Sequence, residues 1–326
     1  MFGSIYSLDR AIAEATNPAS TANAPPHDKI FALHEIIGSE EWLHVLKAGV
    51  NGDETCYIPP DIRGQDHMMI DGRSLRDHLT DVCLAVKEVF NTKVRSTPAR
   101  VTPMRLEVDE SIWHDPANAL GPRQHSPAKQ AEVHRQVQKM LPLGVIGESQ
   151  APYYSQVHLT PKPTPGEWRF CIDYRRLNQA TQSMGWPLPN IAEMLRRLGQ
   201  KGSKFFCKLD LTAGYHQTPL HRDSWKYTAF KTAFGVYHWY RVPMGLKGAP
   251  SYFQHILQSE VLHGLIYTIC ELYIDDVIIF AASEEEMVHN LKLVLERLHS
   301  FGITVSPEKC SFGLEEIEFV GHTLDS

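Results

Sequence analysis

Two aspartates stand side by side inside a run that otherwise has the composition of buried strand, Leu272-Tyr-Ile-Asp-Asp276 followed by Val-Ile-Ile-Phe280. β-Branched and aromatic residues on both sides predict strands over 268–273 and 277–281. Only Ile274-Asp275-Asp276 separates them, which predicts a tight hairpin. An acidic pair at a turn is ordinarily just solvated. Here the flanking strands are apolar, so the fold must bury them while leaving the tip open. Carboxylates held within about 4–6 Å repel and raise one another's pKa unless a cation neutralises them.

A third carboxylate comes from a second strand, predicted over Phe205–Asp210. Period-two alternation puts Phe206, Lys208 and Asp210 on one face, opposite Phe205, Cys207 and Leu209. In the hairpin, Tyr273 and Asp275 share a face opposite Leu272 and Ile274. Both strands can bury an apolar side and aim Asp210 and Asp275 at one surface, with Asp276 adding a third carboxylate. Hard oxygen donors with no His/Cys cluster nearby favour Mg²⁺ over zinc. Two such ions about 4 Å apart would clamp the attacking and leaving oxygens of a phosphoryl transfer.

Helices alternate with these strands. Ser126-Pro127 starts one with the stripe Val133, Val137, Met140 and Leu141. Asn190 with Glu193 starts another that Gly199 is expected to end, and Ser283 with Glu286 a third. Further strands are predicted over 226–232 and 236–242. Helices mixed with hairpins, without regular β-α-β alternation, predict an α+β fold on an antiparallel sheet. The first 25 or so residues read as a flexible lead-in, and 28–95 has helical apolar spacing at 30–37 and 82–90. Five prolines within 96–127 predict an extended linker.

The net charge of −6 argues weakly against a nucleic-acid binder, but it hides an asymmetry. Residues 155–247 carry +9 and residues 248–326 carry −10. That fits a polyanion-binding segment beside a cation-binding cluster, or two unrelated solvated faces. Six scattered cysteines without a C-x-x-C pair, no secretory signal and no membrane-length apolar run predict an intracellular protein, cytoplasmic or nuclear, with no membrane partner.

Tyr273-Ile-Asp-Asp276 resembles the Y-x-D-D box of reverse transcriptases, and KLDLTAGYHQ (208–217) resembles the first-aspartate motif of gypsy-type LTR retrotransposons. EWRFCIDYRRLNQAT (167–181), VPMGLKGAPSYFQ (242–254) and EKCSFGLEEIEFVGHTLDS (308–326) follow that family's order over about residues 100–326. The resemblance implies a right-hand polymerase with an antiparallel palm sheet backed by helices. It places fingers at about 140–185 and 218–248 and palm at about 186–217 and 249–326, behind an unassigned extension (1–100) and a lead-in (101–139).

The same resemblance implies RNA-directed DNA polymerase activity, with dNTPs added to a primer on an RNA or DNA template. Asp210 and Asp275 match the metal-binding aspartates for two Mg²⁺ ions, with Mn²⁺ as a substitute, and Asp276 completes the catalytic triad. Tyr215 matches the steric gate against a ribose 2′-hydroxyl, and the Ala213 and Gly214 N–H groups face the triphosphate. Arg169 and Lys162 match the fingers cations, Met244 a nucleotide-pocket position, and Val320-Gly321-His322 the primer grip. Two motifs depart from the family: the fingers loop Thr-Pro-Lys-Pro-Thr-Pro-Gly lacks its run of lysines, and Gly245-Leu-Lys-Gly248 is closer to the retroviral form. With 50 residues after Asp276, a thumb is expected to be absent, and a thumb or RNase H to come from another chain. The alternative is a truncated, non-catalytic nucleic-acid-binding remnant of such an element.

Overall fold

The computed structural model describes residues 69–119, 121–163 and 166–325; the lead-in and the apolar stretch at 30–37 lie outside them. In order, the chain forms β1 (Met69–Ile70), β2 (Arg73–Ser74), α1 (Leu75–Ala85), α2 (Glu110–Trp113) and α3 (Pro127–Met140). There follow β3 (Ile146–Glu148), β4 (Ser155–Pro161), β5 (Trp168–Asp173), α4 (Arg175–Ala180), α5 (Ile191–Gln200), β6 (Phe205–Asp210) and the short α6 (Gly214–Gln217). The remainder is β7 (Phe230–Thr232), β8 (Gly235–Trp239), α7 (Ala249–Ile256), β9 (Cys270–Tyr273), β10 (Asp276–Ala281), α8 (Glu284–Phe301), β11 (Ser311–Leu314), β12 (Glu316–Phe319) and β13 (His322–Asp325).

These strands make two main sheets. One is antiparallel, in the order β11-β6-β10-β9. The other is mixed, β3-β8-β7-β4-β5, with β4 and β7 parallel. β6 and β10 are central in the first sheet and both of its faces are covered there, which is why Val277-Ile-Ile-Phe-Ala281 is apolar throughout rather than alternating. Phe206, Ile278 and Phe280 pack on Met194 and Leu198 of α5 and on Ile317 and Phe319 of β12. On the other face Cys207 meets Met287 of α8, whose Leu291, Val294, Leu295 and Leu298 are also buried. Each such side chain contributes about 1.5–3 kcal/mol relative to exposure.

The caps follow the expected residues, with one correction. Asn190 accepts the Glu193 N–H at 3.3 Å, and the Ser283 hydroxyl accepts the Glu286 N–H at 3.2 Å. Gly199 does not end α5: the helix runs to Gln200 and the chain turns at Gly202, where φ is +61°. The left-handed residue that terminates the helix is the second glycine, because only there does the backbone need it. The strand expected over 226–232 begins only at Phe230, since Arg222–Thr228 forms 3₁₀ turns in which the Thr228 hydroxyl donates to the Trp225 carbonyl.

The proline-rich stretch is anchored rather than free. Asn91 and Val89 exchange backbone hydrogen bonds with Val305 at 3.1 and 2.8 Å. Ala99 N–H donates to Gln217 O, Arg100 N–H to Phe301 O and Met104 N–H to Pro219 O. Upstream, Ser74 caps α1 in a reciprocal capping box with Asp77, and Leu75, Leu79 and Cys83 are fully buried as the helix packs against α8 and β11. An extended segment leaves its backbone groups unpaired by local structure, so it can pair sideways with the palm.

Candidate active site

The register of the palm sheet sets Asp276 directly opposite Asp210. Tyr273 pairs with Asp276, so the loop between β9 and β10 is only Ile274-Asp275. Asp276 is thus the first strand residue, facing the same side as Asp210, while Asp275 occupies the turn. Ile274 has φ +55°, a conformation a β-branched residue adopts only when its surroundings enforce it. The enforcing group is Gln254 of α7, which is fully buried. Its Oε1 accepts the Ile274 N–H at 2.8 Å and its Nε2 donates to the Leu272 carbonyl at 3.3 Å. The Asp275 carbonyl in turn accepts the Leu211 N–H at 3.1 Å, joining the acidic turn to the chain just after Asp210.

Asp275 is exposed at its tip yet crowded by protein. Desolvation first, then the charges of Asp276 and Asp210, push its carboxyl above the ordinary aspartate range. Two ammonium groups stand beside the other carboxylates. Lys309 lies 3.2 Å from Asp210 Oδ1, and Lys208 lies 3.5 Å from Asp276 Oδ1. Lys208 was legible as a face-mate of Asp210 in the period-two pattern. Lys309 carried no local signal; it arrives because the Ser306 N–H donates to the Asp210 carbonyl at 2.8 Å.

Beside the carboxylates the chain bends through Ala213, at φ +46°, into α6. A Cβ on Gly214 would lie 3.0 Å from the Phe253 ring and 3.6 Å from Asp275 Cβ, so glycine allows the turn to press against the acidic tip. Tyr215 meets Phe253 edge-on, 5.2 Å between ring centroids. Burial, with a smaller contribution from Asp275, pushes its phenol up to about 12.

His216 stacks on Trp239 at 5.0 Å, and burial with the nearby Arg241 pushes its imidazole down to about 4. Arg241 is 2% exposed and its guanidinium donates to the carbonyls of His216, Gln217, Arg95 and Ser96. Because unfolding returns His216 to an ordinary pKa, the unfolded chain binds the extra proton between about pH 6.5 and 4, and stability falls as pH drops through that window. Thermal melts at pH 7 and pH 5 should show the loss, on the order of 1–2 kcal/mol after allowing for partial exposure. His216→Phe, which keeps the stack, should flatten it.

The structure thus brings together Asp210, Asp275, Asp276, Gly214 and Tyr215. The remaining candidates lie on other elements. Lys162 and Arg169 belong to the β4–β5 hairpin, Lys162 paired with Glu167 at 2.9 Å and Arg169 exposed opposite Thr160. Among the described residues no hydrogen bond or ion pair joins either to the carboxylates. Met244 is 56% exposed, next to Gly245 at φ +91°, whose carbonyl accepts from Asn178 of α4. Val320-Gly321 is the turn of the β12–β13 hairpin, at φ +49° and +76°, with His322 exposed beside it. That hairpin lies beside β6, and Lys208 reaches the Glu318 carbonyl at 3.5 Å.

An antiparallel palm sheet with register-paired aspartates beside an acidic turn, accompanied by a second sheet carrying exposed cations, defines a right-hand polymerase. The sequence comparisons give the family: the model described as reverse transcriptase (RNA-dependent DNA polymerase) matches residues 160–324, and the chain belongs to that family. Among its relatives is the retrovirus-related Pol polyprotein from transposon 297 of Drosophila melanogaster, 37% identical over 197 residues, covering 59% of this chain and 18% of the relative. The corresponding protein from transposon 412 is 33% identical over 257 residues, 76% of this chain and 20% of the relative. The chain therefore spans about a fifth of the length of these curated relatives. Of solved structures, foamy viral protease-reverse transcriptase in complex with an RNA/DNA hybrid aligns with TM-score 0.64 at 19% identity, covering 80% of this chain and 34% of that one. The native prototype foamy virus protease-reverse transcriptase aligns with TM-score 0.65 at 21% identity, over 77% and 33%. At these identities the alignments show the shared polymerase fold. Among the described residues no helix is long and apolar enough to cross a membrane.

Proposed function

We propose that this chain is the RNA-directed DNA polymerase portion of an LTR-retrotransposon Pol polyprotein, extending a primer 3′-hydroxyl with dNTPs on an RNA or DNA template. The observation that carries this reading is the pairing of Asp210 with Asp276 across β6 and β10, with Asp275 at the adjoining turn and the Gly214-Tyr215 turn pressed against it.

The donor set suits Mg²⁺. Among the described residues no group of three or more His, Cys, Asp or Glu side chains is placed to hold a metal ion by itself, the three aspartates included. Mg²⁺ takes one or two carboxylates and completes its shell with substrate phosphates and water, so two aspartates are what it needs from the protein. Desolvation first, and then the repulsion of Asp276 and Asp210, raise Asp275, and a bound cation relieves both. Asp210 and Asp275 would hold the ions, Mn²⁺ being a substitute, and the metals' chemistry would be to lower the pKa of the primer hydroxyl and stabilise charge on the leaving pyrophosphate.

The chain's own residues do the positioning. Tyr215 lies beneath the incoming sugar and excludes a 2′-hydroxyl, with the Ala213 and Gly214 amides toward the triphosphate. Arg169 offers a bidentate guanidinium and Lys162 a point charge to the phosphates, while Met244 borders the nucleotide. The Val320-Gly321-His322 turn steadies the primer end, supported through Lys208 and Glu318. Primer extension on poly(rA)·oligo(dT) with dTTP and Mg²⁺ tests the reading. Template-dependent synthesis is expected; background incorporation with retained, salt-sensitive primer–template binding would favour the non-catalytic alternative.

A further inference from the structure

Gln217 closes the turn that carries Tyr215. Its side chain is buried, at 5% exposure, and its carboxamide is fully used. Nε2 donates to the Thr212 and Thr304 carbonyls at 2.8 and 2.9 Å, and Oε1 accepts from the Thr304 N–H and hydroxyl at 2.6 and 3.0 Å. Two donors and two acceptor sites are all a carboxamide has, so none is left for a ligand. The bond to Thr212 spans the neck of the 212–217 turn. The bonds to Thr304 fix that neck to the segment leading to Ser306, whose N–H holds the Asp210 carbonyl. The main chain is held as well: Thr212 N–H donates to Thr304 O, and Gln217 O accepts from Ala99 N–H at 2.8 Å.

Tyr215 itself has less holding it. Its ring is half-buried, and among the described residues its aromatic contact is one edge-on meeting with Phe253. The height of the ring above the palm therefore follows the backbone of the turn, which the Gln217 carboxamide ties across its neck while Thr304, Ala99 and Arg241 hold its main chain. We propose that Gln217 is a positioning residue for sugar discrimination: it fixes Tyr215 at the level where the ring meets a ribose 2′-hydroxyl. This inference rests on the polymerase reading above. A gate works by contact, so a displacement on the order of 1 Å changes selectivity far more than it changes primer binding.

The test is single-nucleotide incorporation by the full chain on poly(rA)·oligo(dT), comparing kcat/KM for dTTP and UTP. Gln217→Ala should lower the dTTP:UTP ratio by about tenfold, within the range of couplings inside one hydrogen-bonded network. Thr304→Val removes one of the four bonds, is nearly isosteric, and should give a smaller fall in the same ratio. In a Tyr215→Ala background, Gln217→Ala should change the ratio no further, because the residue acts through the ring. Equal losses for both nucleotides with an unchanged ratio, or full additivity with Tyr215→Ala, would overturn the assignment. If the wild-type chain incorporates no dTTP, the polymerase reading fails on its own. Amide hydrogen exchange then decides: faster exchange over 211–217 in Gln217→Ala with 207–209 unchanged supports the positioning role, and no change over 211–217 refutes it.

Discussion

Asp275→Asn is expected to lower dTTP incorporation on poly(rA)·oligo(dT) by about 10³-fold or more while the thermal transition stays in place or rises. On the proposed reading, the activity loss is the cost of removing one of the two charges that would hold the cations. At 1.36 kcal/mol per decade, several kcal/mol of transition-state stabilisation corresponds to that factor. The stability effect has the opposite sign because of where Asp275 sits. Its ionised form bears desolvation and the repulsion of Asp276 and Asp210, and the folded protein holds its proton more tightly than the unfolded chain does. A neutral amide of the same shape removes that burden at neutral pH. The backbone contacts that fix the turn, from Leu211 and from Gln254 through Ile274, do not involve the carboxylate and are retained. Extension, melting temperature and primer–template affinity should be measured together. A mutant that melts normally, binds primer–template and still extends within tenfold of wild type would remove Asp275 from the metal-binding role.

The acidic hairpin was legible because its signal is local. Strand chemistry on both sides and a short gap between them identify β9 and β10, and period-two alternation places Asp210 and Lys208 on one face. What the alternation could not supply is register. The loop is two residues rather than three, so it is Asp276 that faces Asp210 across the ladder and Asp275 that occupies the turn. A single-residue difference in loop length exchanges the two roles. Gln254, Gln217 and Lys309 escaped for another reason. Gln254 is 20 positions from Ile274, Gln217 is 87 from Thr304 and Lys309 is 99 from Asp210. No periodicity reports a hydrogen bond over such distances. The residues at 86–109 were least legible of all, because proline-rich extended chain has the same appearance whether it wanders or is laced to a neighbour.

That lacing leads to the second large effect. A chain beginning at residue 110 should fail to show a cooperative thermal transition, while one beginning at residue 69 should show it. The shorter chain loses α1 and the strap at 86–109, and with them Leu75, Leu79, Cys83, Val89 and Phe90, each fully buried. At about 1.5–3 kcal/mol apiece this alone is comparable to the 5–15 kcal/mol that holds a typical domain folded. The polar losses compound it. Arg241 keeps its charge in the interior through four carbonyls, and two of them, Arg95 and Ser96, lie in the strap. Removing these leaves a buried guanidinium half-satisfied, at a cost of about 1–3 kcal/mol or more for a charged group. Thr212, Gln217 and Pro219 lose partners at Asn91, Ala99 and Met104, all on the turn that carries Tyr215 or just after it. The damage therefore converges on the turn that carries Tyr215, beside the acidic hairpin, rather than on a peripheral edge. A 110–326 chain that unfolds cooperatively with the melting temperature of the 69–326 chain would show that the strap only decorates the palm. Loss of the transition in the first and its retention in the second would make the strap part of the polymerase fold itself.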